Sequence, residues 1–273
     1  MSAPPTFVHI GGQRCGSTWM YKCLQAHPEV YTSIPKEIHY FNGNRGKSDS
    51  WYLDHFKPSK THKAWGEATP LYLSHVSKNE SLPQELYRIS PNCKIICCLR
   101  NPTYRAFSQW ELWQSKKDSF KIAVENNYKN MLGKGVYINH IKRWKKVFPS
   151  DQILIQIHDE VLQNNKEAVR DAYDHIGVDK GFEPKWIDKN YNSPIAPESQ
   201  KILKRVFGGR LVEKVKSSTF GDGVRRLMHK MKKIGGNSKV PVDVKKQLIE
   251  YYEPYNKELS QHIDKDLSHW NKT

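Results

Sequence analysis

Glycines, an arginine and two hydroxyls crowd into one short stretch near the start of the chain, Gly11-Gly12-Gln13-Arg14-Cys15-Gly16-Ser17-Thr18. The apolar run Thr6 to Ile10 leads into it and a helical pattern follows from Ser17, so the order is strand, glycine loop, helix N-terminus. Backbone N–H groups in such a loop point into one concavity and the helix dipole adds partial positive charge, which suits a phosphate. The interval from Gly11 to Gly16 is that of a Walker A loop, but Ser17 stands where that loop needs its lysine. A nucleoside triphosphatase without that lysine loses its hold on the β and γ phosphates. The loop's own cation is Arg14. Taken alone, the stretch is explained equally well by glycines that turn the chain and an arginine that stays in solvent.

A second group weighs against that plain reading. The apolar run Lys94 to Leu99 ends in Arg100-Asn101-Pro102, and the helix that follows carries Arg105 and Ser108. In a parallel sheet Arg100 leaves from the same carboxyl edge as the glycine loop, and Ser108, about two turns along, faces back toward that edge. A guanidinium fork and a hydroxyl meeting there would hold a second phosphate, and two phosphate sites imply a ligand phosphorylated in two places. Glu37, just after the first strand–helix unit, is a carboxylate within reach of the mouth beside Arg14, or else pairs with Lys36 or Arg14 for structure. His39 is the reserve candidate for acid–base work; its plainer role is a histidine hydrogen-bonded among Tyr40 and Phe41.

The elements that must position these residues alternate. Strands are expected at Thr6 to Ile10, Ala64 to Glu67, Lys94 to Leu99 and Gln152 to Ile157. Helices are expected at Ser17 to Ala26, at Pro102 to Trp113 with Asn101 as cap, and at Val136 to Phe148. In the last, Ile138, Ile141, Trp144, Val147 and Phe148 form the apolar face, with Lys142, Arg143, Lys145 and Lys146 mostly outward. Strands alternating with helices predict an α/β fold with a central parallel sheet flanked by helices and a P-loop-like nucleotide site. No repeat or Pro/Gly-rich linker divides the chain, so residues 1–273 are expected to form a single domain.

Composition narrows the classes further. The 273 residues are 37% hydrophobic and 11% aromatic, enough for a core and unlike a disordered tail. The longest apolar run, Ile95 to Leu99, falls far short of the ~20 residues that span a bilayer. The N-terminus has no signal-peptide pattern, so a cytoplasmic location is expected. Five cysteines, Cys15, Cys23, Cys93, Cys97 and Cys98, form no C-x-x-C pair and are expected as free thiols. The net charge of +16 attracts anions without choosing among them. The segment 201–236 alone holds 11 Lys or Arg against 2 acids, with Val224, Leu227, Met228, Met231 and Ile234 at helical spacing. An acceptor-binding flap, a contact with anionic membrane and a solvated helix packed on the core remain open for it.

Together these motifs carry a resemblance. The loop Gly11 to Trp19 resembles the 5'-phosphosulfate loop of sulfotransferases that use 3'-phosphoadenosine 5'-phosphosulfate (PAPS), and Cys98-Leu99-Arg100-Asn101-Pro102-Thr103-Tyr104-Arg105-Ala106-Phe107-Ser108 resembles their 3'-phosphate segment. Pro35-Lys36-Glu37-Ile38-His39-Tyr40-Phe41, Gly66-Glu67-Ala68-Thr69-Pro70-Leu71-Tyr72, Gly135-Val136-Tyr137 with Arg143-Trp144, and Asp266-Leu267-Ser268-His269-Trp270 are similar, in order, to segments of the bacterial and heparan-sulfate-type branch. The resemblance implies in-line transfer of a sulfuryl group from PAPS to a hydroxyl, or in second place an amine, leaving 3'-phosphoadenosine 5'-phosphate (PAP) and demanding no metal. It implies Glu37 as base, Arg14 beside the leaving oxygen, and Arg14, Cys15, Gly16, Ser17, Thr18, Trp19, Arg100 and Ser108 around the nucleotide. The acceptor would be a hydroxyl-bearing, carbohydrate or anionic molecule, with no specific nucleic acid as partner.

Three positions depart from the pattern. Arg14 stands where many members have lysine, Cys15 replaces a serine or glycine, and Ala68 stands where the heparan-sulfate enzymes have a lysine that contacts substrate. Cys15 is either a reactive thiol at a helix N-terminus or a small filler of the loop. Two other functions remain beside sulfuryl transfer: a nucleotide-dependent kinase with an aberrant P-loop, and a non-catalytic polyanion-binding protein that kept the fold.

Overall fold

The computed structural model describes residues 3–75, 82–113, 119–185, 187 and 240–272. The chain divides into two compact units, one made of Met1–Asn192 with Pro241–Thr273 and the other of Ser193–Val240. The basic segment 201–236, singled out by its charge, lies outside the described residues.

Five strands form the central sheet: β1 (Phe7–Gly11), β2 (Val30–Thr32), β3 (Ala64–Ala68), β4 (Lys94–Leu99) and β5 (Ile153–Ile157). They lie in the order β2-β3-β1-β4-β5 and every pairing is parallel. Every residue of β1 is buried, as a parallel strand covered on both faces requires. Four of these strands match the expected ones closely. The strand β2 escapes the sequence reading because Val30-Tyr31-Thr32 is too short for an apolar period to register.

Helix α1 (Ser17–Ala26) begins at Gly16, whose φ of +92 needs a glycine and whose missing side chain leaves the helix N-terminus without a side-chain cap. Further helices are α2 (Asp49–Leu53), α3 (Leu82–Ile89), α4 (Pro102–Trp113), α5 (Phe120–Glu125), α6 (Tyr137–Lys145), α7 (His158–Gln163), α8 (Asn165–Ile176) and α9 (Val242–Ile263). One core cluster joins Met20, Cys23 and Leu24 of α1 to Phe7, Val30, Ala64 and Ile96 of the sheet and to Val169, Ala172, Tyr173 and Ile176 of α8. Asn101 caps α4 as expected, its Oδ1 accepting from Thr103 N–H at 3.0 Å.

Helix α6 is shorter than the Val136 to Phe148 expected. Val136 has a non-helical ψ of 68, and at the far end the N–H groups of Val147 and Phe148 both turn back to the Trp144 carbonyl. Ile138, Ile141, Trp144 and Phe148 of the expected apolar stripe are buried and Val147 partly so, but Arg143 is half-buried and donates to the Leu73 carbonyl at 2.7 Å. All five cysteines are buried free thiols. Among the described residues no helix is long and apolar enough to cross a membrane.

Candidate functional site

A cleft of about 180 Å³ opens at the carboxyl edge of the sheet, lined by Gln13, Arg14, Gly16, Ser17, Thr18, Lys36, Glu37, Pro70, Gln109 and Leu112. The edge forms because β1 and β4 are neighbours: Gly12 N–H donates to the Cys98 carbonyl at 2.7 Å, so the glycine loop starts where β4 ends. Gly11, at φ +131, lies against the Pro70 carbonyl so closely that a Cβ would stand 2.2 Å from that oxygen. Only glycine lets the loop leave the strand here.

The glycine loop and the segment from Arg100 to Ser108 are bonded to each other. Arg14 Nε donates to Ser108 Oγ at 3.1 Å, and Arg100 donates to the Arg14 carbonyl at 3.3 Å. Burial, and then the neighbouring Arg100 guanidinium, pull the Arg14 pKa below its ordinary value. Two cations held together in this way are repelled by each other and desolvated, a state that an anion between them relieves.

The cation missing from the loop's own sequence arrives from another element. Lys36 Nζ donates to Ser17 Oγ at 3.2 Å and to Glu37 Oε1 at 3.0 Å. Burial lowers the Lys36 pKa, and Glu37 opposes that effect. Glu37 Oε2 lies 3.3 Å from His39 Nε2, and His39 Nδ1 meets Asn42 Oδ1 at 3.1 Å. Both Glu37 and His39 keep 38% of their side-chain surface exposed. Two of the lining residues carry an orphaned polar atom: Gln13 Oε1 and Gln109 Nε2 are buried without a partner among the described residues. Cationic donors, the backbone nest and these unmet amides fit a ligand with anionic and polar groups.

Of the residues singled out from sequence, Arg14, Gly16, Ser17, Thr18 and Glu37 line the cleft, Arg100 and Ser108 attach to it through Arg14, and His39 through Glu37. Cys15 and Trp19 are not among the lining residues. The Cys15 thiol points beneath the loop, 3.7 Å from the Tyr137 hydroxyl, and burial pushes its pKa up. Trp19 Nε1 donates to the Ile187 carbonyl at 3.2 Å. Lys36, Gln13 and Gln109 are site residues that the sequence does not single out. Lys36 has a signal, the vacant lysine position at Ser17, but its contact with Ser17 spans 19 positions of chain. Among the described residues no group of three or more His, Cys, Asp or Glu side chains is placed to hold a metal ion.

Residues 4–194 match the family model described as a sulfotransferase domain. Among curated proteins the chain is similar to bifunctional heparan sulfate N-deacetylase/N-sulfotransferase 4 of Mus musculus, 27% identical over 94% of this chain and 30% of that protein. It is also similar to the membrane-associated sulfotransferase kil1 of Dictyostelium discoideum, 35% identical over 39% of this chain and 22% of that protein. The chain thus spans about 30% of the length of the first of these relatives. The crystal structure of a sulfotransferase from Alicyclobacillus acidocaldarius superposes with a TM-score of 0.71 at 21% identity, covering 99% of this chain and 100% of that one.

Proposed function

The chain belongs to the sulfotransferase family, and from that premise we propose that it transfers a sulfuryl group from PAPS to an acceptor hydroxyl, with Glu37 as the base. The observation that carries the reading is the meeting of two groups at one cleft: Arg14, tied to Ser108 and Arg100, and Glu37, tied to Lys36 and His39, with Lys36 Nζ also bonded to Ser17 of the glycine loop. The nest from Gly16 to Thr18 suits the 5'-phosphosulfate, and Arg100 with Ser108 suits the 3'-phosphate.

In this scheme Glu37 takes the acceptor's proton as the acceptor oxygen forms its bond to sulfur, while the bond from sulfur to the 5'-phosphate oxygen breaks in line. Arg14 and Lys36 offset the negative charge that grows on the departing oxygen. His39 Nε2, 3.3 Å from Glu37 Oε2 on a partly exposed ring, is placed to relay the acceptor's proton to solvent. The lining cations Arg14 and Lys36 disfavour a protonated amine and leave a neutral hydroxyl unaffected, which supports a hydroxyl as acceptor. Ala68, where the resemblance leads one to expect a lysine, is fully buried on β3 and offers no charge to a polyanionic glycan.

Incubating the chain with sulfur-labelled PAPS and four acceptors, unsulfated heparosan oligosaccharide, p-nitrophenol, a tyrosine peptide and cholesterol, tests the reading. Label should move to at least one hydroxyl and PAP should form in equal amount. Binding of ATP with phosphate transfer would favour the kinase, and tight heparin binding with no stabilisation by PAP would favour the polyanion binder.

A further inference from the structure

Glu67, on β3, is fully buried. Among the described residues no cation pairs with it. It is held by four donors, which fills the accepting capacity of a carboxylate. Oε2 accepts from Ile38 N–H at 3.2 Å and from the Thr69 hydroxyl at 2.5 Å; Oε1 accepts from the Tyr52 hydroxyl at 2.9 Å and the Tyr72 hydroxyl at 3.2 Å. Three of these donors come from side chains that can turn. Ile38 N–H cannot, and it is the backbone donor next to Glu37.

The same stretch is tied to β3 at two more places. Ser33 N–H donates to the Gly66 carbonyl at 2.9 Å and Ala68 N–H to the Lys36 carbonyl at 3.1 Å. From the Asn44 side chain comes a bond to the Ile38 carbonyl at 2.9 Å. Residues 33–38 therefore run beside β3 as a fastened edge, and Glu67 closes it at the residue after Glu37. A buried carboxylate without a cation is expensive to keep, and an apolar side chain would fill the same space. What an apolar side chain cannot do is accept from Ile38.

We propose that Glu67 is a positioning residue for sulfuryl transfer: by accepting from Ile38 N–H it fixes the backbone that aims Glu37 into the cleft. The proposal rests on Glu37 being the base. Glu67 is fully buried and is not among the residues that line the cleft, so its removal acts on turnover and leaves the nucleotide wall intact. The amide of Glu67→Gln keeps its oxygen on Ile38 N–H if its NH2 turns to Tyr52 and Tyr72, whose hydroxyls can reverse and accept. Glu67→Leu loses all four acceptor contacts, and Glu67→Asp keeps the carboxylate but withdraws it by one methylene.

The test measures kcat for the acceptor that the four-member panel shows to be turned over fastest, and the PAP Kd by calorimetry, in each Glu67 variant with Glu37 present and with Glu37→Gln. The expected result is a kcat lowered at least tenfold in Glu67→Leu and Glu67→Asp, near wild type in Glu67→Gln, with the PAP Kd within about twofold throughout. In the Glu37→Gln background those losses should vanish, because a base that is absent cannot be misplaced. If Glu67→Leu does not fold, Glu67→Asp decides. Equal losses in both backgrounds, an unchanged kcat in Glu67→Asp, or a PAP Kd that rises with the loss of turnover would overturn the positioning role while leaving Glu37 as base. A Glu37→Gln variant with undiminished kcat would instead remove the base assignment, and this proposal with it.

Discussion

Arg14 reaches the cleft from a loop set between the end of β4, where Gly12 is bonded, and the start of α1 at Gly16, whereas Glu37 reaches it from a stretch beyond the end of β2 that two backbone bonds and the buried Glu67 carboxylate fasten to β3. The wall proposed for the phosphates is set by strand order and glycine geometry, which bring Arg14 to Ser108 and Arg100. The wall proposed for the acceptor is set by how the stretch after β2 packs, as in Lys36 with Ser17 and Ile38 with Glu67.

The largest expected effect separates the two walls outright. Glu37→Gln keeps the shape of the side chain but cannot accept the proton, so turnover should fall roughly 10² to 10⁴-fold while the PAP Kd stays put. Steady-state kinetics beside calorimetry reads both. Turnover near wild type, with His39→Ala abolishing it, would move the base to His39.

The next effect lies on the phosphate wall. Replacing Arg100 by alanine removes a charge-assisted contact, usually about 1.5–3 kcal/mol, and should weaken PAP about 10 to 100-fold while barely changing 5'-AMP. In wild type, PAP at ~100 times its Kd should raise stability by about 2.7 kcal/mol in a thermal or denaturant melt. Equal shifts from PAP and 5'-AMP would mean that Arg100 and Ser108 hold no second phosphate.

Ser108→Ala should do the same more weakly, by about 1 kcal/mol, since only a neutral hydrogen bond goes. It also releases Arg14 Nε, so a small loss of kcat should accompany the change in PAP affinity. A loss confined to kcat would show that Ser108 steadies Arg14 and does not bind the phosphate.

The same contrast explains what the sequence disclosed. The glycine loop, β4, α1 and α4 were legible because each depends on neighbours in sequence: an apolar run, a glycine at a helix start, Asn101 before Pro102. Arg14, Arg100 and Ser108 followed because strand order alone brings them to one edge. The roles of Lys36 and Glu67 are not legible, beyond the vacant lysine position at Ser17, because their partners are set by how β3 and the stretch after β2 pack. Gln13 and Gln109 gave no signal, since an amide declares its role only when burial leaves it unpaired.

Acid should distinguish the fastenings of the two walls by sign. On the phosphate side His158 packs near Gly16, its Cδ2 3.6 Å from where a Cβ on that glycine would stand, and Asp159 accepts from Trp270 Nε1 at 3.0 Å and lies 3.2 Å from His269 Nε2. Interaction with His158 first, and then with Trp270 and His269, outweighs burial and pulls the Asp159 pKa down to about 2. A carboxyl whose pKa is lowered by folding adds stability above its ordinary value of 3.8 and loses it as the pH falls through about 2. At this partly exposed site the contribution is on the order of 1 kcal/mol. Glu67 runs the other way. Burial raises its pKa above the ordinary 4.5 despite four hydrogen bonds, so its ionised form costs stability as the pH climbs from 4.5 through the folded value. Melting temperatures of wild type, Asp159→Asn and Glu67→Gln between pH 2 and pH 8 should show the Asp159 difference full above about pH 4 and closing toward pH 2. The stability of Glu67→Gln relative to wild type should instead improve as the pH rises from 4.5. Two differences with the same sign of slope would mean that both walls are fastened by one kind of carboxylate, and that the division between a preformed wall and a packed one does not extend to their electrostatics.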